Sequence, residues 1–466
     1  MALIPKRAAG MLPLLLVLAL PLTAATLGGD AEVVALSPAV GQALLDLAPG
    51  STALVPDWPV AAGVRHEVEL TRFDVYAPDA RIVKMEGNRA VEVPRSRLAF
   101  FKGRSVDSPE TWLVVSVDPD SRRVVKGVSL TPEGTRELRP AAKSLGGVAG
   151  GYLIAPPDQP EAGGEEPSWG CGQNSGPLSS SPLGTILGLE EQAATGTKAI
   201  TSLHTATIAV DTDNELLSLK FSNNTTAATN YIANLIAQMN VMYERDFLIR
   251  LVQGFTILRP STTADPYAQS GTGAADGAKL NEFSNYWAGG CGGACSGVSR
   301  ALSMMLSGKQ SSNNSASGIA WVNSLCSTSM GYSFSQVFKF AQDTSANDAA
   351  LVGHELGHNF GSPHTHCYSP PIDTCYNGES CYTGGTSCPA PATYSGIPNV
   401  IGTVMSYCHV TGCGKSDVFH PRTVDLVAPL IQARVGTCIF PLGPANGIFN
   451  NSFESGVTPP WSGKTP

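Results

Sequence analysis

The chain has 466 residues, which is enough for two or three domains that each bury a sizeable core. Charged residues make up only 15% of the sequence, and the formal net charge is −8. This balance argues against a nucleic acid or an anionic membrane surface as a partner.

The first 25 residues have the organisation of a secretory signal peptide. Lys6 and Arg7 precede an apolar run at 11–22, and the small residues at 23–25 suit cleavage. The run is short for a membrane span, so we expect a secreted, extracellular protein without a membrane anchor. A retained anchor is the alternative for this segment.

Residues 26–170 are predicted to form a β-rich domain. The runs 112–117 and 124–130 are typical of strands, and the segment 118–121 between them contains Asp and Pro, which favour a turn. No catalytic group of residues is found in this part of the sequence.

The cysteines divide the chain unequally. Ten of the eleven lie from position 291 onward, and in an exported protein this density indicates disulfides. The exception is Cys171, which stands between glycines in a Pro-, Gly-, Ser- and Glu-rich stretch, so we interpret 171–200 as a linker. Cys291 and Cys295 are expected to form a local disulfide, because their three-residue spacing lacks the second pair of a metal site.

Residues 201–440 carry the pattern of an α/β domain, and the Gly-, Pro- and Asn-rich segment 441–466 is expected to be a flexible tail. Strands are predicted at 204–211, 248–252 and 255–258, and helices at 225–243, 280–287, about 347–360 and 421–435.

The segment 354–364 reads HELGHNFGSPH and predicts a zinc-binding helix. At 100° per residue, His354 and His358 lie 40° apart on one helix face, as a zinc site requires. Glu355 follows the first histidine, so its carboxylate lies near the metal without being a ligand. The alternative is a polar helix whose histidines are hydrogen-bonded and do not bind a metal.

A third ligand is expected directly after this helix. Gly361 can adopt the left-handed conformation that ends a helix, and Pro363 cannot continue one, so the chain can return His364 to the metal. The fourth position stays open for water, and Glu355 would act on that water as general base. His366 is the alternative third ligand, but the register to Gly361 favours His364.

These motifs resemble those of the metzincin metalloproteases. Their residues are similar to those of the reprolysin (adamalysin) branch. The segment 403–407 resembles the Met-turn beneath the zinc, and 318–326 resembles the edge strand on which substrates dock. The resemblance spans about 200–440. It implies an α/β catalytic domain with a mixed twisted sheet, long helices, a zinc helix and a Met-turn.

The resemblance also implies roles for single residues. Met405 would form an apolar floor under the histidines, and Cys326 would pair with Cys438. Tyr407 occupies the position of a tyrosine that assists the transition state in astacin- and serralysin-like metzincins. Reprolysins generally lack this tyrosine, so assistance to the transition state is the alternative to a purely structural hydroxyl.

The β-rich part, 26–170, resembles the propeptide of reprolysin zymogens. In metzincin zymogens a lone propeptide cysteine beside glycine binds the zinc and displaces the catalytic water, and Cys171 is similar to such a residue. The alternative is a disulfide from Cys171 to the catalytic domain. Activation cleavage would then fall in 171–200.

We therefore predict a secreted zinc endopeptidase, made as a zymogen, that hydrolyses extracellular proteins or peptides as a monomer. One catalytic Zn²⁺ is expected, and no calcium-binding loop can be assigned. The tail segment 448–456 resembles a C-terminal tag of exported bacterial proteins, which favours a bacterial source. The alternatives are a narrow-specificity processing or toxin-type protease and a silent binding module stabilised by metal.

Overall fold

The computed structural model describes residues 30–141, 151–157, 200–262, 264–267, 275–309, 318–337 and 346–442, and the backbone alone of 25–26, 169–171 and 316–317. The expected signal peptide, most of the linker 171–200 and nearly all of the tail 441–466 lie outside these residues. Among the helices of the described part, none is long and apolar enough to cross a membrane.

The described residues form twenty strands. They are β1 Ala25–Thr26, β2 Glu32–Val34, β3 Thr52–Ala61, β4 Val64–Phe73, β5 Ile82–Glu86, β6 Arg89–Val93, β7 Ala99–Ser105, β8 Trp112–Asp118, β9 Arg123–Thr131, β10 Gly134–Pro140, β11 Tyr152–Ala155, β12 Trp169–Cys171, β13 His204–Thr212, β14 Ile249–Leu258, β15 Leu302–Ser307, β16 Ala316–Ala320, β17 Tyr332–Gln336, β18 Ala392–Tyr394, β19 Ile397–Val400 and β20 Ile439–Pro441.

The helices of the described residues are fewer and longer. They are α1 Pro38–Leu45, α2 Thr225–Phe247, α3 Gly277–Ala288, α4 Ala346–Phe360 and α5 Pro421–Gln432, with short π or 3₁₀ turns at Leu216–Lys220, Cys291–Gly293 and Thr365–Cys367.

The N-terminal part is an antiparallel sheet with the order β1-β2-β11-β10-β9-β8-β7-β4-β3. The turn predicted between β8 and β9 is present, and Asp118 accepts hydrogen bonds there from the Asp120 and Ser121 N–H groups. One face of this sheet buries Leu113, Val115 and Val117 against its own core.

The second sheet contains the α/β part of the chain in the order β12-β16-β17-β15-β13-β14-β5-β6. Strands β13, β14, β15 and β17 are parallel, and β16 runs antiparallel to β17 at one side. The mixed sheet with long helices agrees with the fold class predicted for this part of the sequence.

Helix α2 is buried along most of its length because both sheets contribute residues to the core around it. Phe100, Trp112 and Leu130 of the N-terminal sheet belong to the same apolar cluster as Leu235 and Met242 of the helix. A helix that is covered on nearly all sides must lie inside the molecule.

The N-terminal part also extends the second sheet. The hairpin β5–β6 adds to its far side, where β5 pairs in parallel with β14 through the register of Ile82 with Thr256. The 26–170 domain predicted from sequence is therefore β-rich, but its strands are shared between two sheets.

Strand β16 is shorter than the strand predicted at 318–326, because it ends at Ala320. Asn323 and Cys326 have positive φ values of 52° and 67°, a left-handed conformation that interrupts regular strand pairing. The prediction was wrong for the second half of the segment, which forms turns.

Candidate active site

Helix α4 has one face of core residues and one face of imidazoles. Val352, Leu356 and Phe360 are fully buried, while the rings of His354 and His358 lie 4.7 Å apart. The helix ends as expected at Gly361, whose φ is 119° and where a Cβ would overlap the Leu430 side chain. Conformation and space therefore both require glycine at this position.

The turn after Gly361 brings His364 back to the two helical histidines. Its ring lies 5.2 Å from that of His354 and 4.6 Å from that of His358. The Nε2 atoms of His358 and His364 are 3.1 Å apart. The structure thus brings together the three histidines predicted from the sequence, with their ligand atoms within 4.8 Å of one another.

Each of these imidazoles has an acceptor at its Nδ1 atom. His354 Nδ1 donates to the Val404 carbonyl and His358 Nδ1 to the Ser362 carbonyl, both at 2.7 Å. Carbonyl oxygens only accept hydrogen bonds, so these Nδ1 atoms carry the protons and the Nε2 atoms keep their lone pairs.

The protonation of the helical histidines suits metal binding. Burial, and next the neighbouring His364, lowers the pKa of His358 to about 3. Burial, followed by His358 and His364, holds the pKa of His354 well below its usual range. Both imidazoles are therefore neutral near pH 7, as metal ligands must be.

This donor set fits a zinc ion. Zinc prefers histidine nitrogens in tetrahedral geometry, and Zn–N bonds of about 2.0–2.1 Å place two ligand nitrogens about 3.4 Å apart. The 3.1 Å between His358 Nε2 and His364 Nε2 is close to this separation.

Glu355 is fully buried beside strand β16. Gly318 of that strand lies so close that a Cβ there would be 2.5 Å from Glu355 Cγ and nearer still to Oε1. The absence of a side chain at 318 therefore leaves the space that the carboxylate occupies.

Met405 and Tyr407 lie on the turn below the histidines. Met405 is fully buried, and its sulfur would be 2.5 Å from a Cβ on Gly357, which lies between His354 and His358 in α4. The Tyr407 ring packs 4.5 Å from the ring of His364.

His366 lies on the outer side of His364, with its ring 5.3 Å away and nearly parallel. It is grouped with His364, Cys367 and Glu379 rather than with His354 and His358. Cys367 is bonded to Cys381, so it offers no thiolate to a metal in this second group.

Glu379 was missed by the sequence reasoning. Its oxygens lie 2.8 Å and 3.0 Å from His364 Nδ1. Burial opposes ionisation of this carboxyl, but His364 and His366 hold the pKa of Glu379 well below its usual range. An acid within a disulfide-closed loop was the available signal, but no spacing rule directs such a residue to a particular histidine.

The ten cysteines from 291 onward form five disulfides. These include Cys291–Cys295 and Cys326–Cys438, the two pairs named from the sequence; the others are Cys367–Cys381, Cys375–Cys408 and Cys388–Cys413. The backbone of Cys171 forms part of β12, and its side chain lies outside the description.

Three imidazoles converge on an α/β domain, and the buried Glu355 directly follows the first of them in helix α4. Residues 202–415 match a family model named Reprolysin_5 and described as metallo-peptidase family M12. This part of the chain is therefore similar to the reprolysin-like metzincins. Peptidases of family M12 generally depend on zinc.

The other comparisons add little. No curated protein matches the chain. A solved structure titled "Structure of a chaperone-substrate complex" is similar with a TM-score of 0.26 and 15% identity, covering 35% of this chain and 27% of the other. The chain thus spans well under two thirds of that protein's length, and a similarity this low defines neither fold nor function.

Proposed function

We propose that the protein is a secreted zinc endopeptidase, made as a zymogen, that hydrolyses peptide bonds in extracellular proteins. The observation that carries this proposal is the convergence of His354, His358 and His364 beside the buried carboxylate of Glu355. The family match of residues 202–415 supports the same reading.

The three histidines would hold the zinc ion through their Nε2 atoms. When bound, zinc supplies the Lewis acidity that activates water and polarises a carbonyl oxygen. Glu355 would take the proton of the attacking water and return it to the leaving amine. The carbonyls of Val404 and Ser362 keep the two helical imidazoles in the required tautomer.

Strand β16 is the proposed docking site for substrate. Its side opposite β17 lies at the end of the sheet once β12 is removed. An extended peptide added there would make main-chain hydrogen bonds, which provide affinity without strict sequence selection. Gly318 would bring that peptide next to Glu355.

Latency would come from the segment that carries Cys171. Strand β12 pairs in parallel with β16, with Cys171 in register with Gly318, so it covers the proposed docking edge beside α4. The other ten cysteines are paired in disulfides, which supports a free thiol at 171. Its thiolate would take the ligand position that water needs.

The proposed organisation follows from these roles. Residues 1–25 would be the signal peptide, 26–170 the propeptide and 171–200 the linker with the activation cleavage. Residues 201–440 would be the catalytic domain with its cysteine-rich part, and 441–466 a flexible tail. Calcium stays without an assigned site.

Met405 and Tyr407 would support the site from below. Met405 would be an apolar floor with no chemical step of its own. Tyr407 is proposed to assist the transition state through its hydroxyl. Its ring contacts with His354 and His364 support this role, and a purely structural hydroxyl is the alternative.

The test combines metal content, cleavage and one substitution. The mature secreted protein is expected to contain one zinc per chain and to digest casein in a chelator-sensitive manner. Glu355→Gln should keep the zinc and lower turnover by about 10²- to 10⁴-fold, because it removes only the base. N-terminal sequencing of the same material would locate the activation cleavage.

The other outcomes separate the alternatives. Cleavage of a few peptides in a library, with no digestion of casein, would indicate a processing or toxin-type protease. Metal that is bound but never supports hydrolysis would indicate a binding module. Metal-free material with full activity would overturn the proposal.

A further inference from the structure

Glu379 differs from the other partners of the three histidines because it is charged. His354 and His358 donate to backbone carbonyls, whereas His364 Nδ1 lies 2.8 Å and 3.0 Å from the two carboxylate oxygens of Glu379. A carboxylate that accepts the Nδ1 proton fixes the tautomer and makes Nε2 a stronger donor to a metal.

His364 is also the histidine that most needs an orienting contact. His354 and His358 are held by helix α4, which fixes their backbone. His364 follows a turn outside the helix, and 11% of its side chain is exposed. Without an external contact its ring would keep more rotational freedom than the other two.

Glu379 is itself held firmly. It lies in the loop closed by the Cys367–Cys381 disulfide, and its Oε2 is 3.2 Å from His366 Nε2. Its carbonyl accepts the Tyr382 N–H at 3.1 Å. The carboxylate is thus presented to His364 by a cross-linked loop.

We propose that Glu379 is a positioning residue that orients His364 and strengthens its binding to the metal. The cysteine-rich part would then set the affinity of the zinc site through one carboxylate, delivered by the Cys367–Cys381 loop. This inference rests on the proposed zinc function, and its test is chosen so that the two can fail separately.

The test measures zinc affinity in the full chain by competition with a chromophoric chelator. Glu379→Gln should weaken zinc binding by about 10- to 100-fold, because the amide can accept the Nδ1 proton but carries no charge. Glu379→Ala should lose more, and Glu379→Asp should recover part of the affinity. Asp373→Asn is the matched control, since it removes an acid from the same disulfide loop and should leave the affinity unchanged.

A spectroscopic readout separates positioning from a general effect on folding. With Co²⁺ in place of zinc, the visible spectrum should change in Glu379→Gln and stay unchanged in Asp373→Asn. The far-UV circular dichroism spectra of the metal-free Gln and wild-type proteins should agree, since the Gln side chain preserves the shape of the loop.

The possible failures are distinct. A wild-type protein that binds no zinc would overturn the proposed function. A wild-type protein that binds zinc, together with a Glu379→Gln protein of equal affinity and identical cobalt spectrum, would overturn this inference alone. Equal losses in Glu379→Gln and Asp373→Asn would assign the effect to the loop and likewise contradict it.

Discussion

Gly318 and Glu355 are in such close contact that the structure has no room for a side chain at 318. A Cβ there would lie 2.5 Å from Glu355 Cγ, so Gly318→Ala must displace the carboxylate or the strand. We expect kcat/KM for a peptide substrate to fall by about 100-fold, because a shift of about 1 Å in a catalytic group costs this much. The zinc content should not change.

Gly385→Ala is the control for this experiment, since a Cβ at 385 meets nothing within 4 Å. It should leave kcat/KM unchanged. A Gly318→Ala enzyme with wild-type kcat/KM would show that Glu355 does not act from this position.

The pairing of β12 with β16 leads to a prediction about why the uncleaved precursor would be inactive. If the Cys171 thiolate blocks the zinc, the precursor of Cys171→Ser should hydrolyse a short peptide substrate without cleavage of the linker, because a hydroxyl is a much weaker zinc ligand. The measurement is the activity of the uncleaved precursor, verified as intact by mass spectrometry. A silent Cys171→Ser precursor would contradict the switch.

The sharing of strands between the two parts predicts that linker cleavage alone does not separate them. Strand β5 stays hydrogen-bonded to β14, and Lys102 stays paired with the largely buried Glu244. After cleavage at an engineered protease site in 180–190, we expect both fragments to elute together from a size-exclusion column. Separate elution in native buffer would show that this interface is weak.

We predict that the buried ion pair between Asp211 and Arg259 contributes strongly to the free energy of unfolding. Asp211 is fully buried, accepts two hydrogen bonds from the guanidinium, and also contacts Tyr267 and Trp287. Asp211→Ala would leave a buried cation unpaired, so the free energy of unfolding should fall by about 3–5 kcal/mol.

The control for the Asp211 substitution is Asp276→Ala, which removes an N-cap whose side chain is 49% exposed. This change should cost only about 1 kcal/mol in urea unfolding. If both variants lost the same free energy of unfolding, the burial of Asp211 would not explain its effect.

We predict that Asp213 makes the stability of the protein decrease as the pH rises. Burial, and next repulsion from Glu215, raises the pKa of this carboxyl to about 7. Between about pH 4 and 7 the folded protein therefore holds a proton that the unfolded chain has lost. The contribution of Asp213 to the free energy of unfolding therefore falls by up to about 4 kcal/mol as the pH rises through this range.

Asp213→Asn should remove this term, because the amide stays neutral and can still accept from the Leu216 and Gly308 N–H groups. Urea unfolding at pH 5 and pH 8 is the measurement. We expect the variant to gain stability relative to the wild type at pH 8 and to gain less at pH 5. A difference that does not change with pH would contradict the raised pKa.

Local patterns were readable from the sequence because they depend on short-range geometry. The spacing of His354 and His358 is a property of one helix, and the end of α4 at Gly361 follows from the backbone freedom of glycine. The strand expected at 318–326 from the resemblance was too long, since nothing in its residue types revealed the left-handed conformations of Asn323 and Cys326.

The sequence by itself determined the similarity to a metallopeptidase domain and the three histidines of the candidate site. Only the tertiary structure decided that Glu379 meets His364, that the Val404 carbonyl meets His354, and that β5 joins the second sheet. These contacts join residues whose separation along the chain follows no period. They arise only when the packing of the whole chain brings the distant segments together.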